Sequence, residues 1–179
     1  MSDRRRRKSV AAITRAFETL LDERGLDGFG IGDIVDRADI ARSTFYRYYS
    51  NKEDVLCAML EPILLDVAAC VASRDTPPGL AAGMEQLWLK RTTARSFFTA
   101  PALTAQRRML ARLIQQQRGT HPPGPIPERL LATALATAAL GLVEEWLSGR
   151  DKCSPTTIAG ALHTLLYGAA RAVAGKQQL

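Results

Sequence analysis

ARSTFYRYYSNK, running from Ala41 to Lys52, decides how this chain is read. Phe45, Tyr46, Tyr48 and Tyr49 crowd together there with Arg42, Arg47 and Lys52 and with the hydroxyls of Ser43 and Thr44. The stretch contains no carboxylate, histidine or cysteine. Set on a helix at about 100° per residue, Thr44, Phe45, Tyr48 and Tyr49 gather on one side. Arg42, Ser43, Tyr46 and Arg47 gather on the other. The first side is predicted core and the second a polar face presented to the outside.

Working outward, Val10, Ile13, Ala16, Phe17, Leu20 and Leu21 recur at helical spacing and predict an amphipathic helix over residues ~5–24, stopped at Gly25. Asp27 to Gly30 reads as a turn with Phe29 packed inward. Ile31, Ile34, Val35 and Ala38 predict a second helix of about two turns, with Asp33 placed to suit its dipole. The connection Asp39-Ile40 is tight, and Asp39 is expected to cap the third helix. Two short helices joined by a tight turn, with a polar face on the second, form the helix-turn-helix pattern. Arginine offers paired donors to guanine, serine suits several base edges, and tyrosine reaches a thymine methyl or a phosphate oxygen. The competing reading is an ordinary three-helix core in which Tyr46 and Arg47 merely face water.

Residues ~9–56 resemble the DNA-binding domain of the TetR family of bacterial transcriptional regulators. The resemblance is carried by GDIVDRADI, then STFYRYY, then SNKEDVL, with matches at Asp33, Ile34, Ala38, Thr44, Phe45, Tyr46, Tyr48, Lys52 and Glu53. It implies that Arg42, Ser43 and Tyr46 reach base edges, that Thr44, Tyr48 and Lys52 hold phosphates, and that Arg47 does either. Lys52 would open a fourth helix, where free backbone N–H groups also favour a phosphate. Four positions depart from the family pattern. Gly30 stands for a capping Thr or Ser, Gly32 for a side chain that reads a base, Asp39 for the turn glycine, and Ala41 for a capping serine. Sequence reading is thereby shifted onto Arg42, Ser43 and Tyr46.

Beyond Lys52 the periodicity is helical throughout, with no alternating strand pattern. A long helix is expected over ~52–74, with Pro62 inside it as a kink, broken by Thr76-Pro77-Pro78-Gly79. One or two helices come next over Leu80 to Thr99, another over ~102–118, an extended loop over His121 to Pro127, a helix from Glu128 to Leu147 ending at Gly149, and a last helix starting at Ser154-Pro155. The last two are rich in Ala and Gly and suit close packing with the same pair of a second chain, as a four-helix bundle. The expected fold is all-α: an N-terminal three-helix helix-turn-helix domain (1–52) followed by a helical ligand-binding and dimerisation domain (53–179). The resemblance implies a small-molecule effector, unidentified, in the second domain. Met59, Met84, Trp88, Phe97, Phe98, Met109 and Trp146 are the candidate lining, Arg91 and Arg95 candidate partners for an acidic ligand, and plain core is the alternative for the apolar set.

Composition sets the outer limits. A net charge of +6 allows an acidic partner. Residues 1–50 hold ten Lys/Arg against eight Asp/Glu, so the base of that half is concentrated in Arg4, Arg5, Arg6, Arg7 and Lys8, as a solvated tail or an arm toward phosphates. No apolar run reaches the roughly 20 residues that span a bilayer, no signal-peptide pattern is seen, and a cytoplasmic protein with no membrane partner is expected. The three cysteines (Cys57, Cys70, Cys153) form no CxxC pair, and Cys57 and Cys70 read as buried free thiols. The two histidines, His121 and His163, join no catalytic or metal-ligand motif. The expectation is a non-enzymatic protein without metal or cofactor, binding double-stranded DNA as a homodimer. A helical ligand-binding or adaptor protein of the same fold, without specific DNA binding, is the alternative.

Overall fold

The computed structural model describes residues 3–119 and 126–174. Among them every regular element is helical: α1 (Asp3–Arg24), α2 (Ile31–Ala38), α3 (Arg42–Tyr46), α4 (Lys52–Ala69), α5 (Leu80–Leu89), α6 (Arg91–Ala94), α7 (Ala100–Arg118), α8 (Glu128–Ser148) and α9 (Pro155–Ala174). Short 3-10 turns lie at Leu26–Gly28 and Arg95–Phe98. The chain forms two compact units, Met1–Met59 and Leu60–Leu179, and the division between them falls inside α4. The loop read over His121 to Pro127 lies outside the described residues except for its last two.

In the first unit the predicted stripe of α1 closes on the turn and on α2. Ile13, Phe17, Leu20, Leu26, Phe29 and Ile34 are all buried, and Phe17 meets Phe29 edge-on at 5.3 Å between ring centres. Exposed ion pairs frame this packing, Arg24 to Asp33 at 3.0 Å and Arg37 to Glu23 at 2.7 Å. Gly30 caps α2 without a side chain. Asp33 compensates by accepting the Gly30 N–H on its carboxylate at 2.9 Å. The Gly30 N–H and the Arg24 guanidinium together hold the Asp33 carboxyl below the usual carboxylate range.

Asp39 has a role other than the expected one. Its backbone is left-handed (φ 50°), and it closes α2 rather than capping α3. A short polar side chain tolerates that conformation better than most. Ala41 occupies the N-cap of α3 and supplies no side-chain cap, as its chemistry requires. α4 is shorter than expected, ending at Ala69, and the chain continues through tight turns from Cys70 to Ser73.

In the second unit α7 packs on α8, α5 on α9, and α8 against α9. The starts and stops follow the predicted signals. Gly149 ends α8 in the left-handed region (φ 75°), and the Ser154 hydroxyl accepts the Thr157 N–H at 3.1 Å to open α9. α8 also corrects an expectation: it is long and apolar enough to cross a bilayer, with a mean hydropathy of 1.5 over its most apolar window. Half of that window is buried inside the protein, as befits a core helix. Cys57 and Cys70 are buried thiols, and burial pushes Cys70 up to about 12, which keeps it an inert thiol near neutral pH.

Replacing Ser154 by Ala removes a cap and should lower the unfolding free energy of the second unit by about 1 kcal/mol in urea titration. The depressed Asp33 carboxyl stabilises the first unit above the ordinary carboxylate pKa, and that contribution is lost as pH falls through its own lowered value. Thermal melts of wild type and Asp33→Ala should therefore differ at neutral pH and converge in acid.

Candidate nucleic-acid interface and effector cavity

α3 is only five residues long (Arg42–Tyr46), too short to persist alone. Two devices hold it. Phe45 is fully buried beneath it, and the Tyr48 and Tyr49 N–H groups both donate to the Phe45 carbonyl, at 2.9 and 3.0 Å. With Phe45 directed inward, Arg42, Ser43, Tyr46 and Arg47 are exposed, while Thr44, Tyr48 and Tyr49 are half-buried. Tyr46 keeps 49 % of its surface accessible. Its ring packs against the Phe45 edge at 5.7 Å, and the Arg42 guanidinium lies 5.9 Å from its centre, near the limit for cation–π attraction.

The two lower residues are committed inside the unit. The Lys52 ammonium donates to the carbonyls of Leu26 at 2.7 Å and Phe29 at 3.0 Å, and lies 5.4 Å from the Phe29 ring centre. Two of its three protons thus tie the start of α4 to the turn before α2. At the same helix start, Asn51 accepts the Asp54 N–H at 2.8 Å, so the expected set of free amides is smaller by one. The Tyr48 hydroxyl is buried and meets no hydrogen-bond partner among the described residues. Gly32 is exposed and has nothing within 4 Å of where a Cβ would stand, so this position offers DNA no side chain. Arg4, Arg5, Arg6, Arg7 and Lys8 are exposed on the opening turns of α1 rather than on a separate arm. Cations there oppose the helix dipole, so that end gains from an anion.

The second unit holds a cavity of about 420 Å³, part of it open to solvent. Of the candidate lining residues, Met84, Phe97 and Phe98 meet there, beside Leu60, Ile63, Leu110 and Leu140. Met59, Trp88, Met109 and Trp146 do not line it. Instead Trp88 and Trp146 stack on each other at 5.0 Å, the Arg91 guanidinium covers Trp88 at 4.9 Å, and the Trp146 indole N–H donates to the Cys153 carbonyl. Arg91 and Arg95 are exposed and line no part of the cavity. Sequence reading missed Gln106, which lines the cavity while only 2 % exposed. Its signal was available: Gln106 falls four residues after Ala102 and four before Leu110, on the buried stripe of α7.

Among the described residues no group of three or more His, Cys, Asp or Glu side chains is arranged to hold a metal ion.

An exposed, basic and aromatic second helix after a tight turn defines the first unit as a helix-turn-helix protein. Residues 13–59 match the family described as bacterial regulatory proteins, tetR family. Two Bacillus subtilis (strain 168) proteins are similar to it. The uncharacterized HTH-type transcriptional regulator YxbF is 37% identical over 60 residues, which is 33% of this chain and 16% of that protein. The uncharacterized HTH-type transcriptional regulator YvdT is 34% identical over 76 residues, 42% of this chain and 36% of that protein. The matched stretch is therefore well under half the length of either relative. A TetR transcriptional regulator from Streptococcus agalactiae 2603V has the same fold, with a TM-score of 0.56 at 23% identity over 92% of this chain and 96% of that one. RolR in complex with resorcinol gives 0.50 at 23% identity over 98% and 97% of the two chains.

Lys52→Met should destabilise the first unit by about 1–3 kcal/mol, since two half-buried carbonyls lose their donor. Tyr48→Phe should be neutral or stabilising by up to about 1 kcal/mol, because it deletes an unpaired buried hydroxyl. Chemical denaturation of both variants checks the contrast.

Proposed function

We propose that this protein is a transcriptional regulator that binds a pseudo-palindromic DNA site as a homodimer, and a repressor released by a small-molecule effector. One observation carries the reading: Phe45 is buried, so Arg42, Ser43, Tyr46 and Arg47 face outward together on the second helix of a helix-turn-helix. These are side chains that read base edges, while Thr44 and the remaining proton of Lys52 are placed for phosphates and Arg47 for either. Tyr48 joins them only by exposing its hydroxyl. The exposed Arg4–Lys8 cluster adds a salt-dependent attraction.

One short helix reads few base pairs, so a second copy set about 34 Å away along the duplex supplies the rest of the site. A surface for that copy is available on α8 and α9. Leu130 is 60% and Leu165 40% exposed, and Ala134, Ala138, Gly141, Ala161 and Gly168 lie exposed or half-buried on the same two helices. Small side chains let partner helices approach closely. The effector is assigned to the cavity of the second unit. A ligand that favours a spacing of the two recognition helices unsuited to the operator weakens DNA binding, and by linkage DNA weakens ligand binding equally. The protein is read as cytoplasmic and non-enzymatic, without metal or cofactor.

In anisotropy titrations on the DNA upstream of its own gene, Tyr46→Ala and Arg42→Ala should each cost about 1–3 kcal/mol and relax sequence preference. Removal of a phosphate contact, Thr44→Val, should chiefly reduce the salt slope by about one. Equal affinity of wild type and all three variants for every duplex would favour the ligand-binding alternative. Light scattering at micromolar concentration should give twice the chain mass, and a monomer would overturn the dimer.

A further inference from the structure

We propose that Gln106 selects the effector, which is a small, uncharged, mainly hydrocarbon molecule presenting one hydroxyl or N–H to the Gln106 Oε1. The inference rests on the reading of the second-unit cavity as the effector site.

The amide of Gln106 has two donor hydrogens and one acceptor oxygen. Its Nε2 donates to the Phe97 carbonyl at 2.6 Å and to the Ala102 carbonyl at 3.3 Å. Both partners can only accept, so the amide cannot turn over without setting oxygen against oxygen. Oε1 is thereby left as the acceptor, and no donor among the described residues reaches it. The residue is 2 % exposed and lines the cavity. A buried acceptor without a donor is unfavourable, and a ligand hydroxyl or N–H relieves it.

The remainder of the wall sets the other limits. Among the described residues Gln106 is the only polar side chain that lines the cavity, and no charged one does. An ionised ligand would lose its hydration with no countercharge to replace it. The bond to Phe97 also makes Gln106 a structural tie, because it fastens the Arg95–Phe98 turn, which contributes two aromatic rings to the wall, to α7.

The test uses the full-length protein and three probes, 4-ethylphenol, ethylbenzene and 4-ethylbenzoate, with isothermal calorimetry on wild type and Gln106→Leu. Wild type should bind 4-ethylphenol at least as tightly as ethylbenzene and bind 4-ethylbenzoate least. In Gln106→Leu the phenol-to-hydrocarbon affinity ratio should fall about five- to tenfold. Loosening of the Phe97 turn alone would weaken both neutral probes together and leave the ratio unchanged, which would overturn the selection role while leaving the cavity a ligand site. Preference for 4-ethylbenzoate would overturn the ligand class. Failure of wild type to bind any probe would overturn the effector-site reading beneath it. Should Gln106→Leu not fold, a crystal structure of wild type with 4-ethylphenol decides: the hydroxyl within hydrogen-bond distance of Oε1 supports the proposal, and a hydroxyl directed elsewhere overturns it.

Discussion

Burial of the Phe45 ring is the constraint from which the first unit's outward chemistry derives. A five-residue helix has too few hydrogen bonds to exist on its own propensity. Its orientation must come from packing, and Phe45 is fully enclosed. At helical spacing, one inward ring turns the residues two positions before, and one and two positions after, toward solvent. The same residue's carbonyl takes two backbone bonds from the Tyr48-Tyr49 step, so the chain keeps helical pairing past the formal end of α3. The exposed polar side chains and the buried ring that stabilises the unit thus lie on one short segment.

Lys52 shows the opposite arrangement. In the sequence it is a cation beside a recognition segment. In the folded unit its ammonium lies among the carbonyls of Leu26 and Phe29 and against an aromatic face. A lysine head can satisfy backbone acceptors at the end of a flexible stem, and here that closes the gap between the first turn and the start of α4. A loss of DNA binding on substituting Lys52 would therefore mix lost structure with lost charge, and only a separate measure of folding separates them.

The second unit is built on apolar stripes and small residues, with Gln106 as a buried exception. It interrupts the buried face of α7, and its donors are consumed in holding the Phe97 turn. Trp88 and Trp146, which look like ligand-facing aromatics on residue type alone, satisfy each other by stacking. Large rings prefer a dry partner and a bond for any N–H they carry, and the Trp146 indole finds both away from the cavity.

Much of this protein was legible in its residues. The helical periodicities, the caps at Gly149 and Ser154-Pro155, the inward Phe29 and the two sides of α3 come from local rules, because each depends on near neighbours in the chain. The sides of α3 were readable because a helix converts spacing directly into direction. What a side chain does once it has a direction was not readable. The commitment of Lys52 to carbonyls 26 and 23 residues away, the sealed Tyr48 hydroxyl and the choice of Gln106 over Trp88 at the cavity all depend on contacts beyond the reach of local patterning. Sequence alone determined the kind of helices and which face of each is wet; the tertiary structure decided which polar groups remain available, since hydrogen bonds and burial are assigned only when distant segments meet.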